Sequence, residues 1–95
     1  ANADGIATVA HGQIAPGVPA GGYYQAPVLL RDVPVMHRLA QEEVFGPVTV
    51  VQKFDTEQQA IELANDCQFG LAASVWTSDL RAANRVTRQL EAGVV

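Results

Sequence analysis

Two adjacent carboxylates, Glu42 and Glu43, lie in a chain that carries few charges, and the aromatic residue Phe45 follows them closely. The three belong to the stretch Gln-Glu-Glu-Val-Phe-Gly-Pro, which continues directly into an apolar run. An ionised carboxylate accepts hydrogen bonds through two oxygens, so it can bind a polar ligand as well as face water. The pair is therefore either a polar edge to a strand or a place where one carboxylate holds a ligand.

No other residues form a catalytic or metal-binding pattern. Cys67 is the single cysteine, so an intrachain disulfide is excluded, and two histidines with one thiol do not make a zinc pattern. No histidine or other base lies close enough in sequence to activate Cys67, which we interpret as a packing thiol. His11 and His37 are interpreted as surface or packing residues. We assign no catalytic residue and no metal ligand to the chain.

Three arginines and the single tryptophan complete the candidates. Arg81, Arg85 and Arg88 share one face of a predicted helix, where a solvated surface is a simpler interpretation than a phosphate or an acidic partner. Trp76 lies on a predicted strand, which favours a place in the core or in a subunit contact.

Composition bounds the class of protein. The chain has 95 residues, of which 48% are hydrophobic and 17% are charged, against a typical charged fraction of about 25%. That is the composition of a globular domain with a surface less charged than usual, some of which a partner could cover. A net charge of −4 argues against nucleic acid and anionic membranes as partners. No apolar run approaches the ~20 residues that span a bilayer, so we expect a cytoplasmic protein.

The first half of the chain contains few regular patterns. A short strand is predicted within residues 5–10, and repeated glycines and prolines predict a loop over residues 12–22. Residues 28–30 form an apolar strand candidate, and residues 31–34 a turn. Residues 35–41 are ambiguous and have room for a single helical turn.

The second half alternates strands and helices. Residues 48–54, which begin with four β-branched side chains, predict a strand, and Asp55 with Gln58 has the spacing of a capping box at the start of a helix. An apolar run over residues 71–76 predicts a second strand. Ser78 is the expected cap of a second helix, which Gly93 would end. This order predicts an α/β fold with parallel pairing.

The last two residues begin a third predicted strand. Val94 and Val95 follow directly on the expected helix end, with no polar closing residue. We therefore expect the chain to stop inside a strand and to be a piece of a larger α/β protein.

A series of ordered motifs resembles the aldehyde dehydrogenase superfamily, strongly over residues 22–95 and only loosely over residues 1–21. The motifs are Gly-Gly-Tyr-Tyr, Glu-Glu-Val-Phe-Gly-Pro, Ala-Asn-Asp, Phe-Gly-Leu-Ala-Ala, Val-Trp-Thr, Asp-Leu and Leu-Glu-Ala-Gly. Several motifs in the same order are far more specific than any one alone. The resemblance implies a strand-helix-strand-helix-strand portion of the aldehyde dehydrogenase catalytic domain, with an incomplete, parallel-type sheet.

The resemblance also implies an activity. Members of the superfamily oxidise an aldehyde to a carboxylic acid through a cysteine thiohemiacetal, with NAD or NADP as the hydride acceptor. The nucleophilic cysteine, the general-base glutamate and the nucleotide-binding domain lie upstream in the family. The chain alone is therefore expected to be inactive and to bind the dinucleotide weakly, whereas the intact protein would use aldehyde and dinucleotide as a homo-oligomer.

Two residues take a cofactor role by this resemblance. Glu43 corresponds to the glutamate that hydrogen-bonds the nicotinamide ribose hydroxyls, and Phe45 to the ring that lies against the nicotinamide. The alternatives are a solvated carboxylate for Glu43 and a ring packed under the Gly-Pro turn for Phe45. Glu42 is interpreted as a structural neighbour, and Gly46 and Pro47 as residues that form the bend.

A non-catalytic interpretation stands beside this one. The chain could be a stand-alone remnant or cassette module that acts by oligomerisation or by binding a full-length relative. Exposed strand edges, such as the one expected at residues 94–95, pair with other chains.

Overall fold

A three-stranded sheet with one short helix forms the first of two units. The computed structural model describes residues 5–95, and the chain divides into the units Ala1–Gln52 and Lys53–Val95. Strands β1 (Ala7–His11), β2 (Val28–Arg31) and β3 (Val48–Val51) lie in the order β1-β2-β3.

The sheet is mixed. β1 pairs with β2 in antiparallel fashion, with an irregular register between Thr8 and Ala10, whereas β2 pairs with β3 in parallel from Val28 opposite Val48 onward. The predicted strands near residues 5–10, 28–30 and 48–54 are confirmed, although β3 ends at Val51. The predicted α/β class is confirmed as well, and the antiparallel β1 is added to the expected parallel pairing.

The core of the first unit is small and lies against the sheet. Ile6, Leu30 and Val33 are buried, and partly buried residues from the strands and from helix α1 (Arg38–Gln41) pack against them. The single helical turn considered for residues 35–41 is therefore present. Residues 12–22 form no strand or helix, as predicted.

Two helices and one isolated bridge form the second unit. Helix α2 covers Glu57–Asn65 and helix α3 covers Leu80–Thr87. The expected strand over residues 71–76 is wrong: only Ala72 pairs, as a single parallel bridge to Val94. The predicted third strand is reduced to the same bridge. None of the helices in residues 5–95 is long and apolar enough to cross a membrane.

The helix ends differ from the predicted ones. Thr56, not Asp55, is the N-cap of α2, and its side chain accepts a hydrogen bond from the Gln59 backbone N–H at 3.1 Å. Asp79, not Ser78, is the N-cap of α3 and accepts from the Arg81 N–H at 2.8 Å.

The predicted end of α3 is also wrong. The helix stops with Arg88 as its C-cap, so Gly93 lies beyond it. The Gly93 N–H instead donates to the Gly70 carbonyl at 2.8 Å, beside the bridge between Ala72 and Val94.

Candidate functional site

The segment that connects α1 to β3 carries both predicted cofactor-binding residues. We call residues 42–47 the Glu43 loop. At its start, the Glu42 backbone N–H donates to the Arg38 carbonyl at 2.8 Å, which closes the last turn of α1. At its end, the Val48 N–H donates to the Gly46 carbonyl at 2.8 Å, which makes a three-residue turn centred on Pro47. Both ends of the loop are fixed by backbone hydrogen bonds.

The end of the Glu43 loop is also joined to the sheet. The Val28 N–H donates to the Pro47 carbonyl at 2.9 Å, so this backbone bond continues the pairing of β2 with β3 by one residue. The loop therefore begins on a helix and ends on a sheet that share the core of the first unit.

Glu42 is held by an arginine on α1. Arg38 donates to the two carboxylate oxygens of Glu42, from Nε at 3.0 Å and from Nη2 at 2.9 Å. These hydrogen bonds lower the pKa of the Glu42 carboxyl and raise the pKa of the Arg38 guanidinium. The interpretation of Glu42 as a structural neighbour agrees with this pairing.

Glu43 and Phe45 face away from the protein. Glu43 is exposed, and within residues 5–95 nothing donates a hydrogen bond to its carboxylate or forms an ion pair with it. Phe45 is 96% exposed, so the alternative in which its ring packs under the Gly-Pro turn is wrong for this structure. One carboxylate with open acceptor oxygens and one open aromatic face can contact a vicinal diol and a planar ring.

The chain bends at Gly46 without a left-handed backbone conformation at that residue. Its φ is not among the positive values, and a Cβ added there would meet nothing within 4 Å. We therefore assign the bend to the turn at Pro47, since neither a left-handed φ nor a close approach requires glycine at Gly46.

The histidines lie outside the Glu43 loop. His11 is exposed at the end of β1. His37 is the N-cap of α1, where its Nδ1 accepts from the Leu39 N–H at 3.1 Å. Sequence reasoning missed this capping role, although a side chain with an acceptor nitrogen just before a helical turn was a usable signal.

Cys67 and the arginines belong to the second unit. Cys67 is half-buried and its thiol donates to the Phe69 carbonyl at 3.4 Å, in line with a packing thiol. Arg81, Arg85 and Arg88 are all exposed, and Arg85 forms two hydrogen bonds with Glu57. In the part of the chain that the structure describes, no three His, Cys, Asp or Glu residues are grouped to hold a metal ion.

Trp76 is not a core residue. Its side chain is 93% exposed, so of the two predicted places only a subunit contact stays open. It lies at a cleft of about 380 Å³ in the second unit, between α2, α3 and residues 74–77. Ala60, Val86 and Leu90 are among the apolar residues that line this cleft. The sequence did not indicate the cleft, because it shows the apolar stripes of both helices but not the gap between them.

Comparison with known proteins identifies the family. The model of the aldehyde dehydrogenase family matches residues 1–95, including the first 21 that the motifs match only loosely. The chain is 52% identical over 69 residues to the NADP/NAD-dependent aldehyde dehydrogenase PuuC of Escherichia coli, covering 73% of this chain and 14% of PuuC. It is 49% identical over 74 residues to a chloroplastic betaine aldehyde dehydrogenase of Atriplex hortensis, covering 78% of this chain and 15% of that protein.

Solved structures agree with the sequence comparison. A betaine aldehyde dehydrogenase of Staphylococcus aureus, in complex with NAD+, superposes with a TM-score of 0.88 at 37% identity over 99% of this chain and 19% of that one. The chain belongs to the aldehyde dehydrogenase family, which is a family of oxidoreductases. It spans about a fifth or less of the length of these relatives.

Proposed function

We propose that this chain is part of an NAD(P)-dependent aldehyde dehydrogenase that oxidises an aldehyde to a carboxylic acid. Within it, Glu43 and Phe45 contact the nicotinamide riboside of the dinucleotide. The observation that carries the proposal is the open carboxylate of Glu43 and the 96% exposed ring of Phe45, two residues apart on a loop fixed at both ends. When bound, the dinucleotide accepts the hydride that leaves the substrate.

The two residues fit this group chemically. The two oxygens of an ionised carboxylate can accept hydrogen bonds from both hydroxyls of a ribose, which fixes the sugar and the ring attached to it. An apolar aromatic face beside the nicotinamide would limit the freedom of that ring. Holding the reacting ring in one orientation is the contribution that such residues make to rate.

We also propose that the 95 residues alone do not oxidise aldehydes. The single thiol, Cys67, donates to the Phe69 carbonyl, and neither histidine of the chain lies near it in sequence to activate it. An aldehyde-dependent NADH or NADPH assay on the purified chain tests this statement, and turnover above background would contradict it.

The cofactor contact is best tested in a complete enzyme. A chimera would carry residues 5–95 in the corresponding place of the S. aureus betaine aldehyde dehydrogenase, which this segment matches along nearly its whole length. In the chimera, Glu43→Gln removes the charge and keeps the shape of the side chain. We expect NAD+ to bind about ten- to a hundredfold more weakly, the range for a lost hydrogen bond to a charged group.

Two controls make the result specific. ADP, which lacks the nicotinamide riboside, should bind the Glu43→Gln chimera as tightly as the unsubstituted chimera. Glu62→Gln removes an exposed carboxylate from α2, where its only described partner is Gln58, and should leave NAD+ binding unchanged. If the Glu43→Gln chimera bound NAD+ as tightly as the unsubstituted chimera, the role of Glu43 would be refuted.

A second candidate function rests on a different observation. In the second unit Leu71, Trp76 and Leu80 are each more than three quarters exposed, and large apolar side chains of this kind are what a protein–protein contact would cover. Self-association of the chain through these residues is the function that this observation favours. Size measurement of the pure chain tests it: a monomer at all concentrations, or an oligomer unaffected by Trp76→Ser, would count against it.

A further inference from the structure

We propose that Arg38 is a positioning residue for Glu43: by pairing with Glu42 it fixes the start of the Glu43 loop and leaves Glu43 as the carboxylate that is free to bind. The inference rests on the proposed cofactor contact and adds a residue to it. Arg38 itself lies on α1 and is given no contact with the dinucleotide.

The two adjacent carboxylates differ in their spacing from Arg38. Glu42 and Glu43 follow Arg38 by four and five residues, and only the first spacing places two side chains on one face of a helix. Both described contacts of the guanidinium group, at 3.0 and 2.9 Å, go to Glu42. The guanidinium therefore engages Glu42 and does not neutralise Glu43.

The two glutamate side chains also differ in their surroundings. Glu42 has extended backbone angles, with φ −114° and ψ 147°. Successive side chains of an extended backbone point to opposite sides. The carboxylate of Glu42 is drawn back onto α1 by Arg38, whereas the side chain of Glu43 is exposed.

The helix that carries Arg38 is supported by its other residues. Leu39 and Ala40 pack against the buried cluster of the first unit, and the Gln41 side-chain amide donates to the Val35 carbonyl at 2.8 Å. The short helix is thus attached to the core on one side and to the preceding turn on the other. The pair of Arg38 with Glu42 therefore holds the first residue of the loop against a helix that is itself held in place.

The expected effect is small and depends on salt. The side chains of Arg38 and Glu42 are 83% and 53% exposed. Exposed ion pairs contribute little to stability, and bidentate pairs such as this one lie at the upper end of that range. Loss of the pair should therefore weaken NAD+ binding about two- to fivefold. The effect should shrink at high salt, because mobile ions screen exposed charges.

The experiment uses the same chimera and compares NAD+ with ADP. Arg38→Met removes the charge but keeps much of the apolar stem, Glu42→Gln removes the other partner, and the double variant closes a thermodynamic cycle. We expect each single variant to lose about two- to fivefold in NAD+ affinity with ADP affinity unchanged, and the double variant to lose no more than either. Arg38→Lys should recover part of the loss. Arg31→Met, which removes an arginine paired with Asp32 on the sheet, is the matched control and should have no effect.

The outcomes separate this inference from the function on which it rests. If Glu43→Gln weakens NAD+ binding and Arg38→Met does not, the positioning role is wrong and the cofactor contact stands. If neither variant changes the preference for NAD+ over ADP, the cofactor contact itself is wrong. If Arg38→Met weakens NAD+ and ADP equally, its role is in general folding, and the inference is overturned.

Discussion

The side chain of Asn65 accepts a hydrogen bond from the backbone N–H of Glu91 at 2.9 Å, across 26 residues of sequence. The same amide donates to the Gln89 carbonyl at 2.8 Å. Asn65 is the last residue of α2, and both of its partners follow the end of α3. One side chain therefore ties the C-terminal ends of the two helices together in a unit that has only Ile61 as a buried core residue.

Substitution of Asn65 should destabilise the second unit. Asn65→Ala removes both hydrogen bonds, and we expect the free energy of unfolding to fall by about 1–2 kcal/mol. Asn65→Asp keeps the acceptor and loses the donor, so it should lie between. Urea unfolding followed by the helical circular dichroism signal measures the series. Asn84→Ala, at an exposed position of α3, should be neutral or slightly stabilising. If Asn65→Ala and Asn84→Ala lowered the free energy of unfolding equally, the stabilising role of the Asn65 hydrogen bonds would be contradicted.

The ion pair between Glu57 and Arg85 should make the stability depend on pH. Arg85 donates to both carboxylate oxygens at 2.6 and 2.7 Å, and these bonds hold the pKa of Glu57 below its ordinary value. A carboxyl whose pKa is lowered by folding binds fewer protons in the folded than in the unfolded chain. Its contribution is therefore complete above the ordinary glutamate pKa of about 4.3 and is lost as the pH falls further.

Glu57→Gln removes this dependence. The variant should melt at a lower temperature than the unsubstituted chain at about pH 7, and the difference should disappear by about pH 3. Glu62→Gln, on the same helix but bonded to Gln58 rather than to a cation, should not show this convergence. A difference between the Glu57 variant and the parent that stays constant with pH would exclude the ion pair as its source.

Gly70 should tolerate no side chain. A Cβ at this position would lie 2.6 Å from the backbone carbonyl oxygen of Glu91, which cannot move away as a flexible side chain would. Gly70→Ala is expected to lower the free energy of unfolding by about 1–3 kcal/mol. Gly46→Ala is the contrast, because its Cβ would meet nothing within 4 Å, and its stability should be unchanged or slightly higher. Equal stability of the two variants would show that the close approach relaxes.

The cap of α2 offers a test of two neighbouring residues. Thr56→Ala removes the side-chain acceptor of the Gln59 N–H and should cost about 1 kcal/mol. Asp55→Ala should cost less, because the contact of Asp55 with Gln59 runs through its backbone N–H at 2.7 Å and survives the substitution. Thermal unfolding of both variants gives the comparison. A larger loss of stability in Asp55→Ala than in Thr56→Ala would indicate that Asp55 is the N-cap, as the sequence predicted.

That comparison shows where sequence reasoning reached its limit in the helices. Asp55 and Thr56 are both good capping residues, as are Ser78 and Asp79, so residue type alone leaves the boundary open by one position. The decision comes from backbone angles, since the capping residue must be extended while the next residue is already helical.

Strands were predictable only where a partner exists. Residues 28–31 and 48–51 combine apolar, partly β-branched sequence with a pairing neighbour, and they form β2 and β3. Residues 71–76 have a similar composition, but a strand needs a ladder of hydrogen bonds and here only Ala72 pairs. The Glu43 loop was located by its motif, whereas Arg38 was missed even though its spacing of four residues from Glu42 was visible in the sequence.

Phe45 should separate binding from stability. Because its ring is 96% exposed, Phe45→Ala is expected to leave the thermal unfolding of the 95-residue chain unchanged. Leu30 is 4% exposed in the core of the same unit, so Leu30→Ala should lower the free energy of unfolding by about 2–5 kcal/mol. In the chimera, Phe45→Ala should weaken NAD+ binding while ADP binding is kept, because only NAD+ carries the nicotinamide. A Phe45→Ala chain as unstable as the Leu30 variant would mean that the ring supports the fold, and the exposed face proposed for the cofactor would then have to be abandoned.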